Sequence, residues 1–336
     1  MISSRFLLLL FANLMLFAGV HAQHFIYKAG YFGFFDNREY FNRYVNDQTI
    51  FGSRLSGEVG YSFDESNRIM AGADFLYEFG SKGEWVSPDL ITYYHGRRNH
   101  FELYLGAFPR RGNISMPMAL MTDTFQYYRP VVEGMLIDFK TAGFRHNIWI
   151  DWTSRQSATK RETFLVGFSG HYEKGIFLYQ HHFVMTHLAH ALERTPDERI
   201  RDNAGYAVTP GLDLTGISGL DSLTVYAGVL GSYDRLRGVY DFRFPIGFYG
   251  EAEAVFKSFG IHGIVYSGDN QFITSGDGLY KASFYSRADI YYQASTPAIQ
   301  GKVQCSFHFL PEVVDLSMSL VIRAQLEGLF RNRQSN

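Results

Sequence analysis

Leu316-Ser317-Met318-Ser319-Leu320-Val321-Ile322-Arg323-Ala324-Gln325-Leu326-Glu327-Gly328-Leu329-Phe330 reads as two interleaved sequences. Its even positions are Leu316, Met318, Leu320, Ile322, Ala324, Leu326, Gly328 and Phe330, nearly all apolar. The odd positions include Ser317, Ser319, Arg323, Gln325 and Glu327. Alternation with a period of two is the pattern of a β-strand with one face in an apolar medium and the other in a polar one.

The opposite end of the chain says which apolar medium is meant. Arg5 precedes the apolar run Phe6 to Gly19, and Val20-His21-Ala22 fits the small-x-small rule for signal cleavage. Residues 1–22 are therefore expected to be a secretion leader, and residues 23–336 one exported domain. Elsewhere no run of 18 consecutive apolar residues occurs, so no helical span is expected. Aromatics form 17% of the chain, with 23 Tyr, 31 Phe, 33 Gly and only 9 Pro. That mixture suits strands, interfacial aromatic belts and tight turns. A mean hydropathy of −0.13 is compatible with membrane residence, because lipid-facing and lumen-facing residues average out in a barrel. The formal charge of −2 carries no basic bias, so nucleic acid is not an expected partner. Cys305 is the single cysteine and excludes an intrachain disulfide.

Short turns and longer polar connections alternate along the chain. Short ones fall near Asp64–Asn67, Gly96–Asn99, Thr141–Gly143, Glu173–Gly175, Ile217–Gly219, Ser258–Phe259 and Ala294–Pro297. Longer ones include Phe35–Gln48, Gly80–Pro88, Pro109–Tyr128, Ala189–Asn203 and Ser267–Gly278. The expected fold is all-β: a transmembrane, antiparallel, up-and-down β-barrel of about sixteen strands, with fourteen as the next count. Parity assigns faces, and a charge on the lipid face near the midplane costs roughly 2–4 kcal/mol. Arg54, Glu58, Asp74, Arg243, Glu251, Arg287, Asp289 and Arg323 are therefore expected in the lumen. A barrel of this size is too wide for wall side chains to fill, so the lumen is expected to be wet. Glu133 shares parity with Val131 and Met135 and is expected near a rim or bulge, while Pro245 is expected to mark another bulge within one long strand, Tyr240–Phe256.

The longest connection, Pro109 to Pro130, is expected between strands five and six. Here the chain resembles bacterial outer-membrane porins, whose third loop folds into the barrel, and porin-like proteins of Bacteroidota type without an assigned substrate. The resemblance implies passive or weakly selective diffusion of small hydrophilic solutes or ions, a cell-outer-membrane location, and contact with outer-membrane lipid and lipopolysaccharide. It also implies insertion by a barrel-assembly machinery, with Phe330 as a terminal aromatic signal, and a homotrimer. Unlike acidic constriction loops, this loop carries Arg110, Arg111 and Arg129 against Asp123. Arg110 and Arg111 are expected to line a constriction that favours anions, with Glu102 or Asp123 opposite; the competing placement is the outer rim.

An adhesin, assembly factor or partner-binding subunit would use the same strands but work through its loops. A barrel hydrolase would need a nucleophile–His–acid arrangement that the sequence does not display, so no enzymatic activity is expected. His181, His182, His187 and His190 cluster locally without a His-Glu-x-x-His pattern, and no metal or cofactor is expected. Asp151 shares parity with Trp149 and Arg155, which suggests a lumen-facing pair.

Overall fold

A computed structural model describes residues 24–82 and 86–330, with the side chain of Phe330 outside that set. The expected leader and the last six residues lie outside the described residues. Strands follow one another as β1 (His24–Glu39), β2 (Gln48–Ser62), β3 (Asn67–Glu78), β4 (Asp89–Arg98), β5 (Phe101–Pro109) and β6 (Val131–Thr141). Next come β7 (Phe144–Ser154), β8 (Thr163–Lys174), β9 (Phe177–Leu188), β10 (Arg201–Asp213) and β11 (Ser222–Leu236). The chain ends with β12 (Tyr240–Arg243), β13 (Ile246–Phe256), β14 (Phe259–Gly268), β15 (Phe284–Ser295), β16 (Ile299–Phe309) and β17 (Val314–Phe330). Among the described residues two short α-helices, α1 (Thr124–Tyr128) and α2 (Thr215–Ser218), and a 3₁₀ turn, Gly278–Lys281, lie in connections.

Each strand pairs antiparallel with its neighbour, and β1 closes the ring on β17 from Phe25↔Phe330 to Glu39↔Leu316. Closure leaves no unpaired edge inside the bilayer, as a lipid environment demands. The short β12 extends β11 beyond the ring, and β13 takes over the pairing with β11 below it. The ring therefore has sixteen members. The single strand expected over Tyr240–Phe256 is instead broken at Pro245 into β12 and β13, since proline has no N–H to carry the ladder on; its carbonyl accepts from the Ser232 N–H at 3.0 Å.

Alternation is obeyed around the ring. In β17, Met318, Leu320, Ile322 and Leu326 are exposed to the outside, while Ser317, Ser319, Arg323 and Gln325 line interior cavities. Outward aromatics form two belts. Phe25, Tyr61 and Phe63 meet at the end where both described termini lie, and Phe35, Phe51, Phe79 and Tyr77 meet at the other. Phe25 and Phe35 are ten residues apart on β1, which spans about 25 Å of membrane normal for a strand tilted by roughly 40°. The turns at the terminal end are tight, and Gly143 and Gly175 there take φ of 79° and 61°, conformations that glycine adopts without strain. Glu133 is the third residue of β6, exposed at the opposite, outer end.

One feature departs from the wet, open lumen expected from strand number. The connection 110–130 and the connection 269–283 both turn inward and meet. The N–H of Thr122 donates to Ser275 O (3.0 Å), the N–H of Asp277 to Met118 O (3.0 Å), and the Ser275 hydroxyl to Leu120 O (2.7 Å). Leu120 and Leu279 are fully buried, and they join Phe108, Val132, Trp149, Leu230 and Tyr266 in an apolar cluster inside the barrel. Side chains on the ring alone do not fill a barrel of this width; here two loops supply the missing volume on one side.

Candidate functional site: a lumen passage and an outward-facing cluster

The 110–130 connection is clamped at its base and at its tip. Its base closes where Arg110 N–H meets Pro130 O at 2.6 Å. Arg110 itself is 1% exposed; its guanidinium pairs with Asp151 of β7 and donates to Arg129 O at 2.8 Å. Arg111 bonds Asp74 at 3.0 Å and the Gln126 carbonyl at 2.8 Å, with its guanidinium over the Phe32 ring. From β2, Arg54 pairs with Asp74 at 2.6 Å and with Asp89, and donates to Tyr127 O at 2.7 Å. Tyr127 stacks on Phe34 of β1 at 4.6 Å. The tip reaches the far wall: a methyl group at Gly205 of β10 would lie 2.8 Å from Leu120 and 2.6 Å from Ile273. Because β10 stands nearly opposite β1 in the ring, this segment crosses the lumen.

Water-sized space survives on the other side, against β15, β16, β17 and β1. On the outer side a cavity of about 440 Å³ is bounded by Asp36, Arg38, Arg287 and Ser317, and on the inner side one of about 660 Å³ by Lys302, Gln126 and Arg323. Asp123, Gln304 and Ser319 belong to both walls. Two further inner cavities adjoin at Arg323, one holding Arg145, His182 and Glu251 and the other Lys28, Glu58 and Asp74. Most charges here are matched: Arg38 with Asp36, Arg145 with Asp138, Arg287 with Asp289, and His262 between Glu251 and Asp289 at 2.9 Å each. Among the described residues, Lys302 and Arg323 form no ion pair; Lys302 lies over the Tyr291 ring and Arg323 donates to Gln126 Oε1 at 2.8 Å. Burial raises the carboxyl pKa of loop residues Asp123 and Asp277, which weakens the acid side of the passage.

Several expected site residues stand elsewhere. Arg110 is locked to Asp151 rather than facing open water, and Asp151 has Arg110, not Arg155, as its partner. Glu102 is at the inner end of β5 with His95, Arg97 and Lys140, away from the loop arginines. Arg129 is exposed, contributing its carbonyl. Arg243 is exposed on β12 above the ring, over Tyr240, because Pro245 breaks the strand that would have carried it inward. The 269–283 connection, expected over Ser267–Gly278 as a long polar loop, turns inward instead. Its signal was apolar Phe272, Ile273, Leu279 and Tyr280 inside an otherwise polar loop. Asn203 of β10 holds it, accepting from Thr274 N–H at 2.7 Å and donating to Phe272 O at 2.6 Å.

The histidine cluster is divided by strand alternation. His182 faces the lumen beside Ser169, whereas His181 and His187 face outward. Among the described residues no His, Cys, Asp and Glu group has the arrangement of a metal site. At the outer end of the lipid-facing wall, His187 Nδ1 lies 2.8 Å from Asp202 Oδ1, and Arg237 Nε donates to Asp202 Oδ2 at 2.8 Å. Phe164 packs on the His187 ring and Trp152 on Phe164. Arginine, carboxylate and imidazole thus form one outward chain that ends on the half-buried His187 ring.

A family model described as lipid A 3'-O-deacylase-type matches residues 18–327. The chain belongs to that family. This overturns the expectation of no enzymatic activity: the sequence displays no short catalytic motif, but the family is named for an enzyme. No curated protein matches the sequence. Similar solved structures include an anion-selective porin from Comamonas acidovorans, 8% identical over 91% of this chain and 99% of that one, with a TM-score of 0.54. A loop-deleted OmpT of Vibrio cholerae is 8% identical over 91% and 100%, with a TM-score of 0.53. The outer-membrane protein opdK of Pseudomonas aeruginosa is 9% identical over 90% and 99%, at 0.51. At such identities the likeness is one of fold: this family member is a porin-type barrel.

Proposed function

We propose that this chain is an outer-membrane channel that passes small hydrophilic solutes, anions ahead of cations, through the slot between the 110–130 connection and the β15–β17 wall. The observation that carries this reading is the pair of cavities on opposite sides of the loops that share Asp123, Gln304 and Ser319. In a passage this narrow, unpaired cations act on an ion with little solvent between them. Lys302 and Arg323 supply that field, and Asp123 opposes it. In planar bilayers the purified protein is expected to give stable openings, with a reversal potential in a salt gradient that favours the anion. Changing Lys302 and Arg323 together to Glu is expected to alter the anion-to-cation permeability ratio several-fold and reverse the preference. An unchanged reversal potential overturns the assignment, and an absence of openings overturns the channel.

Family membership and the outward His187–Asp202 pair favour a second activity, hydrolysis of an acyl ester of the surrounding outer-leaflet lipid. His187 would take a proton from the attacking water and return it to the alkoxide that leaves as the acyl C–O bond breaks, giving a fatty acid and an alcohol; Asp202, itself held by Arg237, orients the ring and balances its positive charge. Since the pair stands outside the ring, this activity does not compete with passage through the lumen. Fatty acid released from lipid A in detergent, followed by mass spectrometry, is expected to fall by about a hundredfold or more in His187→Ala. Lack of release by the unaltered protein ends this reading.

A further inference from the structure

Beyond the channel, and independent of whether His187 is catalytic, the outer rim carries a basic cavity with a lipid-facing approach. A space of about 450 Å³ opens between the β9–β10 connection and the β11–β12 turn, bounded by His190, Arg194, Glu198, Arg199 and Arg237. Arg199 donates only to backbone carbonyls, of Pro196 and of Glu198 at 2.9 Å. Arg194 has no ion pair among the described residues, and the carboxylates Glu193 and Asp197 of the same connection do not line the space. Arg161 adds a fourth guanidinium behind the wall, donating to Ala189 O at 2.8 Å and to Arg199 O. Against these stand Glu198, 3.6 Å from His190, and Asp202, shared by Arg237 and His187.

Guanidinium groups held by carbonyls keep their charge and spare N–H donors, the arrangement that recognises phosphate oxygens. The connections that bound the cavity expose Leu192 and Val239 at 66% and 60%, and from Arg237 a chain of contacts runs through Asp202 and His187 to Phe164 and Trp152 on the lipid-facing wall. We propose that this cavity binds the phosphomonoester of an outer-leaflet lipid headgroup, with Arg194, Arg199 and Arg237 on the phosphate and the acyl chains along the Phe164–Trp152 wall. The lipid source, rather than a free anion, follows from the continuity of the cavity with the lipid-facing surface.

Native mass spectrometry of the full chain in detergent, titrated with short-chain phosphatidic acid, tests the site. A one-to-one adduct is expected, with the matching diacylglycerol binding at least about tenfold more weakly. Arg194→Glu with Arg199→Glu is expected to weaken phosphatidic acid by about tenfold or more while the heat-dependent gel shift of a folded barrel is retained. Arg194→Glu alone, at a side chain without an ion-pair partner, keeps the test valid if the double variant fails to fold. Equal binding of both lipids, or undiminished binding by the variants, overturns the proposal. Binding of inorganic phosphate that lipid does not displace overturns the lipid assignment and leaves a free-anion site.

Discussion

Arg110→Ala is expected to release the lumen-crossing connection and to raise single-channel conductance, with the largest loss of stability of any single change considered. Arg110 is 1% exposed and Asp151 2%. Removing the arginine strands a buried carboxylate, which costs about 3–5 kcal/mol, more than the intact pair contributes. It also deletes the bond to Arg129 O that closes the loop base. Two readings check this: the temperature at which the folded band disappears on gels should fall, and conductance should rise. Because the cost lies in the uncompensated charge, Arg110→Ala with Asp151→Ala should recover a substantial part of the stability while conductance stays high. If the double variant is no more stable than the single one, the buried pair is not what holds the loop.

Gly276→Val is expected to have the next largest effect, through the meeting of the two loops. A side-chain carbon at Gly276 would run into the Ala119 carbonyl oxygen and close on Ile273. Neither is the end of a flexible side chain in open space, so the loops must separate. Overpacking of this kind costs about 1–3 kcal/mol, and it falls on the bonds Thr122 to Ser275 and Asp277 to Met118. The expected result is a wider passage: higher conductance with the ring intact, seen as an unaltered gel shift. Unchanged conductance would mean that the two loops yield without opening the slot.

Both variants act where reading the sequence reached least far. The ring was legible because lipid imposes one rule on every strand: alternate positions must be apolar, and a slip of one residue exposes a charge to hydrocarbon. Arg54, Asp74, Glu251 and Asp289 therefore betray their face without reference to any other strand. Arg243 escapes the rule for a local reason, since Pro245 ends the ladder and puts β12 above the membrane. Loop placement obeys no such periodicity. Pro109–Pro130 was marked by length, and its arginines by charge, but nothing in the order of residues says that Arg110 meets Asp151 or that Asn203 grips 269–283.

The division between the two outward and inward halves of the histidine cluster makes the same point. Adjacent His181 and His182 are separated by the barrel wall because neighbours on a strand face opposite sides, although polar residues on both parities of Phe177–His187 leave no clean face in the sequence. That His187 joins Asp202 and Arg237, from three different strands or turns, depends on register across β9, β10 and β11. By itself the sequence determined a closed alternating barrel with a polar interior, because burial in lipid or water is decided residue by residue. Only the tertiary structure decided how far the interior is filled, which cations stay unpaired beside Asp123, and what assembles on the outer rim. Those are contacts between residues far apart in the chain, and their partners are chosen by the ring's curvature and register rather than by any local pattern.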